Sequence, residues 1–138
     1  MQIGDKVPEV LGHDQEGREV RMSDFAGRKV ILYFYPKDST PGCTAEACSL
    51  RDHFAELQSL GYDIVGVSAD SAESHRKFAA AQSLPFPLIA DTDKQLIEAM
   101  GVWGEKNRYG RITVGLLRTT FLIDEKGCVE RIFTPGQI

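Results

Sequence analysis

Apolar residues in this chain fall into short blocks of two kinds, and the two kinds alternate along the sequence. Val30-Ile31-Leu32-Tyr33-Phe34-Tyr35 and Ile64-Val65-Gly66-Val67 are apolar without alternation, the pattern of strands covered on both faces. Pro36 ends the first of them. From Cys43 to Ser59 the spacing changes. Cys43, Ala47, Leu50, Phe54 and Leu57 recur at intervals of four and three, which puts them on one stripe of a helix that Gly61 stops. Ser71 caps a second helix reaching about Gln82. Leu88-Ile89-Ala90 reads as a short strand behind Pro85 and Pro87, and Thr92 to Met100 as a further helix before Gly101. Arg118 to Ile123 reads as a strand, joined by the turn Asp124-Glu125-Lys126-Gly127 to a partner over Cys128–Phe133. Ahead of all these, Asp14-Gln15-Glu16-Gly17 predicts a hairpin turn between Val10 and Val20, and Ser23–Gly27 a single helical turn. No element is predicted between Gly101 and Leu117.

The order is hairpin, β, α, β, α, β, α, then two more strands. Strands alternating with helices imply parallel crossovers, and the closing hairpin adds antiparallel strands. The expected class is α/β: a thioredoxin-like sandwich with a central mixed sheet flanked by helices and an N-terminal β-hairpin. At 138 residues, with no repeat or linker, one domain over 1–138 is expected. Ligands of open α/β sheets bind beyond the carboxyl ends of the strands, which directs attention to the loop between Tyr35 and Cys43.

Charge removes some classes of partner. The net charge of −4 offers no basic surface for nucleic acid or an anionic membrane. The longest apolar run is too short to cross a bilayer, and Met1–Lys6 lacks the pattern of a signal peptide. A cytoplasmic protein is therefore expected, though a mature organellar form without its targeting segment would look the same; a monomer is expected. Three cysteines, Cys43, Cys48 and Cys128, do not make a disulfide framework in a reducing compartment. His13, His53 and His75 are scattered along the sequence, and no metal site is expected.

The chemistry concentrates in Pro36-Lys37-Asp38-Ser39-Thr40-Pro41-Gly42-Cys43-Thr44-Ala45-Glu46-Ala47-Cys48. Cys43 follows Pro-Gly at the first turn of a helix, where free N–H groups and the positive end of the dipole favour a thiolate. The same position on the apolar stripe would also suit an inert core cysteine. Thr40 either offers its hydroxyl to an oxygen bound near the sulfur or simply caps the helix. Pro36 either shields the sulfur or only ends the strand. Glu46 is placed to orient an arginine or to complement the helix start. Arg118, at the start of a late strand, either supplies a cation to the sulfur or is plain surface charge. Leu116-Leu117-Arg118-Thr119 has no proline, whereas folds of this type that use Cys-x-x-Cys carry a cis-proline there, and that motif is absent too. Cys43 and Cys48 are five residues apart, roughly 7.5 Å of rise and about 140° of rotation on a helix. An intact helix does not allow them to bond, since a disulfide needs Cα atoms within about 7 Å and converging side chains.

Pro36-x-x-x-Thr40-x-x-Cys43 resembles the peroxiredoxin active-site motif. The longer run from Phe34 to Thr44 with Cys48, and the stretches Gly101–Lys106 and Arg118–Asp124, resemble the bacterioferritin comigratory protein, or peroxiredoxin Q, subgroup. The resemblance spans nearly the whole chain. It implies a thiol peroxidase in which Cys43 attacks a hydroperoxide, Cys48 resolves the resulting sulfenic acid as an intramolecular disulfide, and Pro36, Thr40 and Arg118 complete the peroxide site. It implies thioredoxin or a similar dithiol as reductant, and no cofactor. Cys128 is read as a bystander. Members of the subgroup continue into a C-terminal helix, whereas this sequence ends at Gln137-Ile138, so less cover is expected on one sheet face. Two other readings stay open at this point. A general thiol–disulfide oxidoreductase would reduce model disulfides without peroxide. A non-catalytic redox sensor would react slowly with peroxide and hold a stable partner.

Overall fold

A computed structural model of the chain describes residues 1–108 and 110–134. Strands β1 (Val10–His13) and β2 (Glu19–Arg21) form the N-terminal hairpin, and a 3-10 turn covers Met22–Phe25. There follow β3 (Lys29–Phe34), helices α1 (Pro41–Asp52) and α2 (Phe54–Ser59), β4 (Tyr62–Ser68), α3 (Ala72–Gln82), β5 (Leu88–Ala90) and α4 (Gln95–Ala99). The chain closes with β6 (Trp103–Arg108), β7 (Arg111–Leu116), β8 (Thr119–Ile123) and β9 (Val129–Phe133). The central sheet has the order β5-β4-β3-β8-β9. β3 pairs parallel with β4 and antiparallel with β8, so the expected mixed sheet is present with β3 at its middle.

The middle strand explains its own sequence. Val30, Leu32 and Phe34 face one core with Leu11, Val20, Leu96 and Ile97, beneath the hairpin and α4. Ile31, Tyr33 and Tyr35 face a second core with Cys43, Ala47 and Phe78, beneath α1 and α3. Both faces are covered, so no polar position is needed and the alternation disappears. Gly66 on β4 lies under the Tyr33 ring: a Cβ there would sit 2.7 Å from Leu88 and 2.9 Å from the Tyr33 ring. Gly66→Ala is expected to destabilise the chain by about 1–3 kcal/mol through overpacking, measured as a lower denaturant midpoint.

Three expectations are corrected. The single helix over Cys43–Ser59 is two helices, beginning at Pro41 and interrupted at His53. There the His53 N–H is shared between the Ser49 and Leu50 carbonyls, while its ring Nδ1 lies 2.8 Å from the Ser49 carbonyl and folds the side chain back over the end of α1. The helix expected from Thr92 starts only at Gln95. Lys94 adopts a left-handed backbone (φ 61°), and the Asp91 carboxylate accepts the N–H groups of Leu96 and Ile97. Finally, β6 and β7 form a separate two-stranded ribbon. β6 has no apolar alternation, and Ile112 and Val114 of β7 are largely exposed, so burial left little imprint on this segment. Smaller shifts occur elsewhere: Tyr35 lies just beyond β3, and Arg118 and Cys128 just before β8 and β9. Residues Pro135 to Ile138 lie outside the described part of the chain.

Candidate active site

The chain leaves the carboxyl end of β3 through Tyr35 and Pro36 and reverses over Lys37–Thr40 into α1. Ser39 takes a left-handed backbone (φ 62°) in this turn. Thr40 is the N-cap residue, but only its backbone caps: its carbonyl accepts the Thr44 N–H at 2.8 Å, while its hydroxyl donates to the Lys37 carbonyl at 3.0 Å. Pro41 at the first helical position has no N–H to satisfy. The N–H groups of Gly42 and Cys43 come next, and with no side-chain cap they are the orphan donors of the helix start. Cys43, the third residue of α1, is 2% exposed and packs among Tyr33, Tyr35 and Ala47.

Arg118 approaches from the connection between β7 and β8. Its Nη2 donates to Cys43 Sγ at 3.0 Å and its Nη1 to Glu46 Oε1 at 2.8 Å. Glu46 stands one helical turn after Cys43, so one guanidinium spans sulfur and carboxylate together. Burial would lower the Arg118 pKa. The hydrogen bond to the Cys43 sulfur and the charges of Cys43 and Glu46 outweigh it, and the pKa rises. Burial raises the Glu46 carboxyl above its ordinary value against the opposing pull of Arg118. Beneath them lies Tyr33, whose phenol has no hydrogen-bond partner among the described residues. Burial first, then the negative charges of Glu46, Asp38 and Cys43, push its pKa up, so it stays a neutral donor.

Of the residues singled out in the sequence, Cys43 and Arg118 are in direct contact, and Glu46 completes the group. Thr40 caps the same helix start, with its hydroxyl proton used inside the loop. Pro36 is half-buried between Tyr35 and the loop. Cys48 is not brought to Cys43. It faces α3, where its thiol donates to Gln82 Oε1 at 3.3 Å, and Arg51 holds the Gln82 carbonyl at 2.7 Å. All three cysteines are free thiols, Cys128 lying half-buried beside the last turn.

The sequence reading passed over Asp38 and His75. His75 is fully buried and Asp38 is 6% exposed, with Asp70 beside them. His75 shares the inward stripe of α3 with Phe78 and Ala79, at spacings of three and four, and a histidine on such a stripe was the available signal. Asp38, Asp70 and His75 are the one group of metal-ligating side chains gathered among the described residues, and they already bond to one another and to their neighbours.

A helix-start cysteine bonded to a guanidinium, at the carboxyl end of the middle strand of this sheet, defines a thiol peroxidase of the thioredoxin-like class. The comparisons give the same class. Residues 3–132 match the AhpC/TSA family, and the chain belongs to that family, the peroxiredoxins. It is 44% identical to peroxiredoxin Bcp of Escherichia coli (strain K12) over 133 residues, 96% of this chain and 85% of that protein. A structure of Xylella fastidiosa PrxQ superposes with a TM-score of 0.88 at 33% identity, covering all of this chain and 87% of the other. The bacterioferritin comigratory protein of Xanthomonas campestris, solved in complexes bearing on its alkyl peroxide reduction activity, superposes with a TM-score of 0.82 at 37% identity over 94% of this chain and 87% of that one. With the family come a hydroperoxide substrate and a thioredoxin-type reductant. No helix among the described residues is long and apolar enough to cross a membrane.

Proposed function

We propose that Cys43 is the peroxidatic residue, Cys48 the resolving residue, and Thr40, Pro36 and Arg118 the peroxide site. The observation that carries this reading is the 3.0 Å bond from Arg118 to Cys43 Sγ, because a guanidinium donor binds sulfur best as the thiolate that attacks an O–O bond. The Cys43 thiolate takes the terminal peroxide oxygen and becomes a sulfenic acid. Sulfur loses two electrons, the O–O bond breaks, and the leaving alkoxide departs as an alcohol after protonation. Arg118 and the N–H groups of Gly42 and Cys43 hold the charge that develops. The Thr40 hydroxyl retains free lone pairs at the mouth of the site.

In the second step the Cys48 sulfur attacks the sulfenic sulfur, forming the disulfide and releasing water. Both cysteines lie on one regular helix, so α1 unwinds from its start to let them meet. An external dithiol of the thioredoxin type then exchanges with the disulfide and regenerates both thiols. Alkyl hydroperoxides as well as hydrogen peroxide are substrates in this reading, in line with the Xanthomonas relative. Because both cysteines lie on α1, resolution needs no partner subunit, and the reading is of a single-domain cytoplasmic monomer.

Stopped-flow oxidation of the reduced protein, with mass spectrometry of the cysteines, tests the scheme. Cys48→Ser is expected to consume one equivalent of peroxide at the wild-type rate, accumulate sulfenic acid on Cys43, and lose sustained turnover with thioredoxin. Wild-type turnover in that variant would exclude Cys48 as the resolving residue.

A further inference from the structure

Asp38 and His75 take no part in the scheme above, yet they form the most heavily bonded buried polar group described in the fold. The carboxylate accepts three hydrogen bonds: from Tyr35 Oη to Oδ1 at 2.6 Å, from Ser74 Oγ to Oδ2 at 2.8 Å, and from His75 Nδ1 to Oδ2 at 2.6 Å. The other ring nitrogen of His75, Nε2, faces the Ile89 carbonyl at 2.9 Å. An oxygen faces each ring nitrogen, so the ring bridges the Asp38 carboxylate and the backbone of β5. Asp70, the remaining ionisable group here, accepts the Asp38 N–H at 2.7 Å and a bond from Ser68 Oγ. Polar pairs buried this way are weak sources of stability, and their best-attested use is to fix one arrangement.

What this pair fixes is the turn that starts α1. Asp38 lies two residues before Thr40, whose carbonyl opens the helix. Between them Ser39 holds a left-handed backbone that a side-chain-bearing residue adopts only when its surroundings impose it. The far anchor is α3, which supplies Ser74 and His75 near its start and, near its end, the Gln82 that accepts the Cys48 thiol. One helix therefore holds both cysteine neighbourhoods in the closed form.

We propose that the Asp38–His75 pair, braced by Tyr35 and Ser74, is a latch that sets the balance between the closed helix start where Cys43 meets peroxide and the opened form where it reaches Cys48. These are positioning residues, and the proposal rests on the roles given above to Cys43 and Cys48. Loosening the latch has opposite effects on the two steps: fewer molecules are poised for peroxide, and more of the sulfenic acid is free to meet Cys48.

Two variants test it. Tyr35→Phe deletes one hydroxyl and keeps the ring. His75→Asn keeps a donor near Nδ1 but loses the link to Ile89. Stopped-flow separates Cys43 oxidation, which scales with peroxide concentration, from disulfide formation, which does not. In each variant oxidation is expected to slow and disulfide formation to quicken, the ratio of the two rates shifting by roughly threefold to tenfold, the weight of one buried hydrogen bond. Cys43 sulfinic acid at high peroxide should fall, because the sulfenic acid is exposed to a second peroxide for less time. Tyr35→Phe keeps the test open if His75→Asn does not fold. Both rates unchanged, or both slowed together with a lower melting temperature, would reduce the pair to a structural element and overturn the proposal. Wild-type protein that fails to oxidise at Cys43 would overturn the assignment of the site itself, and the latch with it.

Discussion

Cys43→Ser is expected to abolish peroxide consumption, leaving the rate of a buffer blank in an assay with excess thioredoxin-type reductant. The loss is total because the sulfur is the reactant. It gives up two electrons to the O–O bond, and a serine oxygen has no oxidised state corresponding to the sulfenic acid. The Arg118–Glu46 ion pair at 2.8 Å does not depend on the sulfur and should survive. Serine is close in shape, so the fold should persist, which circular dichroism and thermal melting would check. Cys128→Ser is the matched control. That sulfur belongs to a half-buried residue beside the Asp124 turn, away from the site, and its loss should leave turnover intact. Peroxide consumption by Cys43→Ser at the wild-type rate would remove the proposed chemistry altogether.

Arg118→Ala is expected to slow Cys43 oxidation on the order of 10²–10³-fold, the usual effect of removing one preorganised donor from a developing charge. The variant loses two bonds at once, to Cys43 Sγ and to Glu46. Arg118→Lys should recover only part of the rate, because one ammonium does not reproduce the fork that spans both partners. A second signature lies in stability. Burial raises the Glu46 carboxyl even with Arg118 beside it, so without Arg118 it rises further. An acid whose folded-state pKa exceeds its unfolded one costs stability when ionised, and the cost vanishes as pH falls through the unfolded value. Relative to wild type, Arg118→Ala should therefore be weaker at pH 7 and approach wild type below about pH 4.5. Denaturant melts at the two pH values would measure this; an equal deficit at both would rule out an unpaired Glu46 as its cause.

Much of the architecture was legible because burial on two faces is written directly into β3 and β4. The Ser71 cap was equally plain, its hydroxyl accepting the Ser74 N–H at 3.2 Å. The ribbon of β6 and β7 was not legible, because exposed strands carry little hydrophobic pattern. The break at His53 depends on a ring folding back onto its own helix, which residue spacing does not encode. At the site, Cys43 and Thr40 could be read from local order, and Arg118 through the family motif. Their contact joins residues 75 positions apart. The Asp38–His75 bond spans 37 positions, and neither residue type distinguishes an inward pair from a solvated one.

If α1 unwinds as proposed, the interruption at His53 insulates the rest of the chain from it. Unwinding that starts beside Cys43 meets no continuous ladder of carbonyl-to-amide bonds beyond His53 along which to spread. The second segment keeps Phe54 and Leu57 seated on the sheet and begins its own bonding from the His53 carbonyl. On that scheme α1 opens and closes again over a floor that stays assembled and serves as the template for rewinding.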